Sequence, residues 1–249
     1  MMTPTEHYRK TFHIQPALNE SSITESFHIR YQVYCREFGY EQLPEGCPEL
    51  ETDEYDDRSR HCLLIHNRTG RPVGCARLVM QDPDLPGVSL PCWEHCRHAF
   101  DTALFDPESL RADQLVEFSR VAIIEEFRRR EKAELRTSIP VLEQIHERRY
   151  STFQVIPVCL FLAALAMFVD SDAEFGVAMM EPKLVRLLRK CGIYFESVGH
   201  VVNYHGLRAP YVIFRDDVRR QLPGEVRELF DEICRQWRGG SHPARDLAR

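Results

Sequence analysis

Charged residues with a reason to be paired recur along the chain in a fixed order. Arg30 opens Arg30-Tyr-Gln-Val33-Tyr34; five acids crowd Glu51-Thr-Asp53-Glu-Tyr55-Asp56-Asp57; Arg77 lies in Gly74-Cys-Ala-Arg77-Leu78. Glu117 and Arg120 stand inside Leu115-Val-Glu117-Phe-Ser119-Arg120-Val121-Ala-Ile123, whose apolar and β-branched content marks a strand. A charge in mid-strand needs a partner, because an unpaired buried ion costs several kcal/mol. Asp53 and Asp56 supply such partners for the arginines. The acidic run is otherwise the pattern of a solvated loop, and it lacks the Gly and terminal Glu of an EF-hand. Alternation sets Glu117 and Ser119 on one face and Phe118 and Arg120 on the other, unless a bulge intervenes.

Two further clusters carry weaker signals. Arg128-Arg129-Arg130 follows the Glu117 strand and suits an anionic partner or a solvated helix start. Cys92-Trp-Glu-His95-Cys96-Arg-His98 lacks a second ligand pair at zinc-finger spacing, so no metal is expected. His205, in Asn203-Tyr-His-Gly, reads as a hydrogen-bonded loop histidine suited to proton transfer near pH 7.

The elements that must position these residues alternate in type. A strand is predicted over Thr11–Gln15, and a helix capped by Asn19 or Ser22 runs to about Phe38, where Gly39 stops it. An acidic loop precedes a hairpin of strands His61–His66 and Pro72–Met80. An irregular, proline-rich stretch from 82 to 112 leads into the strand Leu115–Ile124, and a charged segment covers about 125–150. An apolar helix from Pro157 to Asp170, a strand Phe175–Met180 and a helix from Pro182 to Gly192 follow. Strands over Phe195–Val202 and Tyr211–Arg215 and a helical tail over about 217–249 complete the chain. This order is that of an α/β (α+β) fold, a mixed central sheet flanked by helices, in one domain spanning 1–249.

Composition narrows the function classes. The 249 residues carry a formal charge of −6, with 43% hydrophobic and 28% charged residues, an ordinary globular balance. The negative charge argues against a general nucleic-acid binder. The apolar run Val155–Val169 is shorter than the roughly 20 residues of a membrane span, so no integral membrane segment is expected. The N-terminus shows no apolar secretory core, and nine scattered cysteines fit reduced thiols; the expected location is the cytoplasm.

The ordered set of Arg30-Tyr-Gln-Val33-Tyr34, Glu51-x-Asp53-x-Tyr55-Asp56, Gly74-x-x-Arg77-Leu78 and Glu117-x-x-Arg120 resembles the acyl-homoserine-lactone (autoinducer) synthases, acyltransferases of the GNAT fold. The C-terminal half carries Leu188-Arg-Lys-Cys-Gly192-Ile and Val198-Gly199-His-Val-Val-Asn-Tyr204-His205-Gly206-Leu-Arg208-Ala-Pro210-Tyr211. There the chain looks more like the acyltransferases of PEP-CTERM/exosortase systems and the N-acyl amino acid synthases. Tyr40 stands where autoinducer synthases commonly have Trp, a departure that speaks against an S-adenosylmethionine acceptor.

The resemblance implies transfer of a fatty acyl group from acyl carrier protein, or from coenzyme A, to a primary amine, with no metal or other cofactor. Glu117 would act as general base through water, and Arg120 beside it in the chemistry. Arg30, Asp53, Asp56, Arg77, Ser119 and Val121 would bind substrate, the arginines pairing with Asp53, Asp56 and an acceptor carboxylate. The thioester would lie where the Leu115–Ile124 and Phe175–Met180 strands splay apart. Arg128, Arg129 and Arg130 would dock the donor. The following Glu131-Lys-Ala-Glu lacks the glycines of a pyrophosphate loop, which favours the carrier protein. Rival readings are lactone synthesis, coenzyme A-dependent N-acetyl transfer, and a silent module that binds acyl chains.

Overall fold

Helix starts follow the capping residues. Thr3 accepts from the Glu6 amide, Glu6 reaches back to the Thr3 amide, and Pro4 takes the first helical position of α1 (Pro4–Thr11). Asn19 and Ser22 form the same reciprocal pair ahead of α2 (Glu20–Arg30), as the sequence led us to expect. The helix then widens into a π-helical stretch, Tyr31–Glu37, and the chain leaves it through Gly39 at φ 63°. The computed structural model describes residues 3–43, 46–128 and 155–239.

The strands are β1 (Phe12–Pro16), β2 (Ser59–His66), β3 (Arg71–Met80), β4 (Leu115–Ile123), β5 (Phe175–Met180), β6 (Glu196–Ser197), β7 (Val202–Asn203) and β8 (Leu207–Phe214). They form one sheet in the order β1-β2-β3-β4-β5-β8-β6, with β7 paired to β8. All neighbours are antiparallel except β4 and β5. That parallel pairing covers only Leu115–Glu117 against Phe175–Val177. Beyond it β4 stays with β3 as far as Ile123, while β5 stays with β8 as far as Met180. The two strands part after Glu117.

Helices cover both faces. On one lies α4 (Val155–Val169), apolar throughout, with Phe168 edge-on to Phe118 of β4 at 5.5 Å. Gly74 of β3 allows this approach, since a Cβ there would lie 2.8 Å from both Leu160 Cδ1 and the Ala122 carbonyl. The helix α7 (Gly224–Gly239) packs on α4, α1 and β1 through Val226, Leu229, Phe230, Ile233 and Trp237, all buried. The opposite face carries α2 and α3 (Pro91–Cys96), with α3 in a second core of Tyr55, Val79, Leu90, Cys92, Trp93, Leu115 and Val177. The remaining helices are α5 (Pro182–Lys190) and α6 (Arg215–Gln221). Among the described residues no helix is long and apolar enough to cross a membrane.

Several expectations need correction. The single strand over Phe195–Val202 is two short pieces, because 198–200 bonds the 99–101 loop instead: Asp101 N donates to Val198 O and His200 N to Ala99 O. Gly199 makes that crossing possible, as a Cβ there would lie 1.9 Å from Ala99 O. The last strand begins at Leu207 rather than Tyr211. The helical tail starts at Arg215 and belongs to the core as far as Trp237; residues 240–249 lie outside the described ones. The irregular stretch from 82 to 112 contains α3. Of the charged segment 125–150, only a helical start at 125–128 is described, and Arg129 and Arg130 lie outside.

Candidate active site

A bulge decides which side chains meet. Cys75 pairs with Ala122 and Arg77 with Ser119, so β4 carries one residue more than β3 across this interval. Arg120 sits in it at φ 50°, a left-handed conformation that costs a non-glycine residue about 1–3 kcal/mol. Strict alternation would turn Arg120 toward α4. Instead its guanidinium reaches Glu51 and Asp53 on the α2 face, where Arg77 and Ser119 also lie.

Three arginines and four acids form one network there. Arg30 Nε donates to Glu51, and Arg30 NH1 lies 2.5 Å from Asp56 Oδ1. Arg77 NH1 reaches Asp53 at 2.5 Å and Asp56 at 2.7 Å, and its Nε donates to Ser119 Oγ at 2.9 Å. Arg120 NH2 meets Glu51 at 3.0 Å, Asp53 at 3.2 Å and Glu41 at 3.2 Å. Arg30 and Arg77 are 1% and 0% exposed, so they are enclosed by their acids and out of reach of an acceptor carboxylate. Burial alone would raise the Asp56 pKa, yet Arg30 and Arg77 hold it down to about 2. Glu51 is likewise lowered by Arg30 and Arg120 against its own burial.

Glu51, to which the sequence motif alone assigns no place in the site, joins Arg30 to Arg120. Its signal was the spacing Glu51-x-Asp53 with buried arginines to neutralise. Also missed were Tyr34, whose hydroxyl donates to Val121 O at 3.0 Å under the Arg120 guanidinium, and Glu41. Arg120 meets Asp53 as expected, at 3.2 Å, and is held as well by Glu51, which that expectation left out.

Glu117 stands apart from this frame. It is 4% exposed, on the last rung of the parallel pair, and accepts the Cys92 amide at 2.7 Å. Burial pushes its carboxyl up to about 7, with Cys92, Arg77 and Arg120 pulling the other way. Arg77 and Arg120 do not offset the burial, because they pair with other acids.

Around the cleft stand the π-helix exit and the β7–β8 hairpin. Phe38 stacks on Tyr40 at 5.1 Å, Tyr40 packs on His205 at 5.1 Å, and His205 on Tyr204 at 4.7 Å. Burial lowers the His205 pKa; Glu41, 3.9 Å away, opposes this and Arg208 adds to it. Arg128 pairs with Glu37 and lies over Phe38. Cys92 and Cys96 are buried in α3, and among the described residues no group of three His, Cys, Asp or Glu side chains could hold a metal.

His61, buried behind the network with Nε2 3.7 Å from Asp56, gives the site an acid limit. Burial lowers its pKa to about 4, so the unfolded chain takes up this proton first as pH falls from 6.5. Stability present above pH 6.5 is lost on descending to 4, by about 3 kcal/mol. Asp56 extends the loss from its unfolded value of 3.8 toward 2. Thermal unfolding across this range is expected to show the decline, and His61→Gln to flatten its upper part; an unchanged slope in the variant would assign the loss elsewhere.

Residues 29–138 match the acetyltransferase (GNAT) domain family. Solved structures with the same fold include TofI in a ternary complex with an inhibitor and MTA, at 20% identity and TM-score 0.58, covering 88% of this chain and 99% of that one. BjaI, a CoA-dependent acyl-homoserine lactone synthase with SAM and isopentyl-CoA, gives 15%, 0.57, 90% and 89%. FeeM, an N-acyl amino acid synthase from uncultured soil microbes, gives 13%, 0.52, 85% and 94%. No curated protein matches the sequence.

Proposed function

We propose, from the premise that residues 29–138 are a GNAT acetyltransferase domain and the chain an acyltransferase of that type, that it moves a fatty acyl group from acyl carrier protein to the amine of an amino acid or related small molecule. Glu117 carries this reading: a buried carboxyl with a pKa of about 7, at the point where β4 and β5 part. A base poised near the working pH is what deprotonation of an attacking amine requires.

The amine nitrogen attacks the thioester carbonyl and its proton passes to Glu117, directly or through one water. The tetrahedral intermediate collapses, the carbon–sulfur bond breaks, and the proton returns to the leaving thiolate. Past Glu117 the edge of β4 toward β5 has no strand partner among the described residues. Backbone donors of the Ser119–Val121 stretch on this edge would stabilise the oxyanion. Arg120, fixed by Glu51 and Asp53, supplies positive charge beside them. Arg30, Arg77, Asp53 and Asp56 shape the wall.

The donor assignment rests on sequence and charge. Arg128 to Arg130 suit the acidic surface of a carrier protein, and the glycines of a pyrophosphate loop are absent. FeeM supports an amino acid acceptor, and BjaI supports lactone synthesis from coenzyme A thioesters as the second reading. The whole chain, 1–249, would act as one cytoplasmic domain. Free-thiol release from palmitoyl-carrier protein or palmitoyl-coenzyme A, with amino acids or S-adenosylmethionine as acceptor, separates these. Release is expected to depend on an amino acid and to be faster with the carrier protein; equal or faster release from the coenzyme A thioester would overturn the donor, and release only with S-adenosylmethionine the acceptor.

A further inference from the structure

The network arginines are each already matched to acids, although Arg30 Nη2 and Arg77 Nη2 make no hydrogen bond of their own. Arg30, Arg77 and Arg120 share Glu41, Glu51, Asp53 and Asp56, four carboxylates against three guanidinium groups, which leaves this wall with a negative excess. Arg208 differs. It lies on β8 opposite Val202 of β7, at the base of the hairpin whose tip is Tyr204-His205-Gly206. Among the described residues it has no carboxylate partner, and its Nε is buried with no hydrogen bond. Buried donors in native proteins are nearly always paired, so an orphan of this kind points to a missing acceptor.

Its surroundings orient it. The Arg208 guanidinium carbon lies 5.9 Å from the centre of the Tyr40 ring, and Tyr40 in turn packs on His205. An aromatic face beside a guanidinium holds the fork in place and keeps its charge poorly hydrated. Cys96 of α3 lies in the field of both Glu117 and Arg208: burial and Glu117 raise its thiol pKa, and Arg208 opposes them. His95 of α3 stacks on Tyr204 of the hairpin at 6.1 Å, and Cys92, in the same helix, donates its amide to Glu117, so the hairpin that carries Arg208 and the base both pack on α3.

We propose that Arg208 receives the carboxylate of the acceptor, so that the acceptor is a free amino acid whose amine points to Glu117. The assignment rests on the acyl-transfer reading above and adds to it the need for a carboxylate. The site then matches a zwitterion, with Glu41 and Asp53 attracting the ammonium end before its deprotonation and Arg208 holding the other end. A planar fork binds a carboxylate through two parallel hydrogen bonds, which also fixes its direction.

The test uses the full chain with palmitoyl-carrier protein and an equimolar mixture of the common amino acids, against the same mixture as carboxamides, with products read by mass spectrometry. Wild type is expected to acylate the acids and largely ignore the amides. Arg208→Gln is expected to raise KM for the consumed amino acid about 10- to 100-fold, the range for a charged hydrogen bond, with kcat changed less than about threefold and the preference over the amide lost. Arg208→Lys, which keeps charge but not the fork, should fall between, and unchanged thermal unfolding of both variants would exclude a folding defect. Acylation of acids and amides alike by wild type, or an unchanged KM in Arg208→Gln, would overturn the carboxylate assignment and leave acyl transfer standing. Acylation of neither mixture would remove both.

Discussion

Glu117→Gln is expected to lower turnover about 10²- to 10⁴-fold, the usual contribution of a positioned general base, while making the protein more stable above neutral pH. Both effects come from one fact, a carboxyl raised by burial from 4.5 to about 7. Between those values the unfolded chain has lost this proton and the native chain still holds it, so native stability falls as pH rises through the interval. The total is about 3 kcal/mol. Gln keeps an oxygen for the Cys92 amide and has no charge to bury, so its stability advantage should open from pH 4.5 and level off past 7. In wild type, kcat/KM should rise through pH 7 as the base ionises, and the variant should lack this inflection. Denaturant unfolding and pH–rate profiles read the two sides separately. A variant that retains the inflection would move the base to another residue.

Glu51→Ala should be the most damaging single change to the frame, costing about 3–5 kcal/mol as for other broken buried pairs. Glu51 is 2% exposed and bridges Arg30 to Arg120. Arg120, at 19% side-chain exposure, can recover water when Glu51 is lost. Arg30, at 1%, cannot, and Asp56, with Asp53 at the longer distance of 3.9 Å, would have to answer its charge. Removing both members as Glu51→Leu with Arg30→Met should therefore cost less than Glu51→Ala alone, because no charge remains stranded. Urea midpoints measure this, and a double variant weaker than the single one would show that Arg30 is not the stranded group.

The sequence made the regular elements legible where periodicity and punctuation agreed. Asn19 as a cap, the hairpin about the turn before Gly70, the apolar helix near Pro157 and the strand Phe175–Met180 all follow local rules, and the structure places them there. The helix α1 was not anticipated, although Thr3-Pro4-Thr5-Glu6 carries the capping box with proline at the first position that starts it. Less legible was the division of Phe195–Val202, which depends on a loop a hundred residues away. The site shows the same split. The types of residue announced a charged network, but the bulge at Arg120, which brings that side chain to the acidic face, is a matter of register between two strands. Glu117 reads in sequence as a mid-strand acid in need of a partner, and only its burial against α3 reveals a carboxyl held near neutrality.

The most direct test of the acyl-transfer account is mass spectrometry of lipids extracted from bacteria expressing the wild-type chain and Glu117→Gln at equal soluble levels. N-acyl amino acids are expected in the first and only traces in the second. Equal amounts of product from both, or acyl lactones in place of N-acyl amino acids, would contradict it.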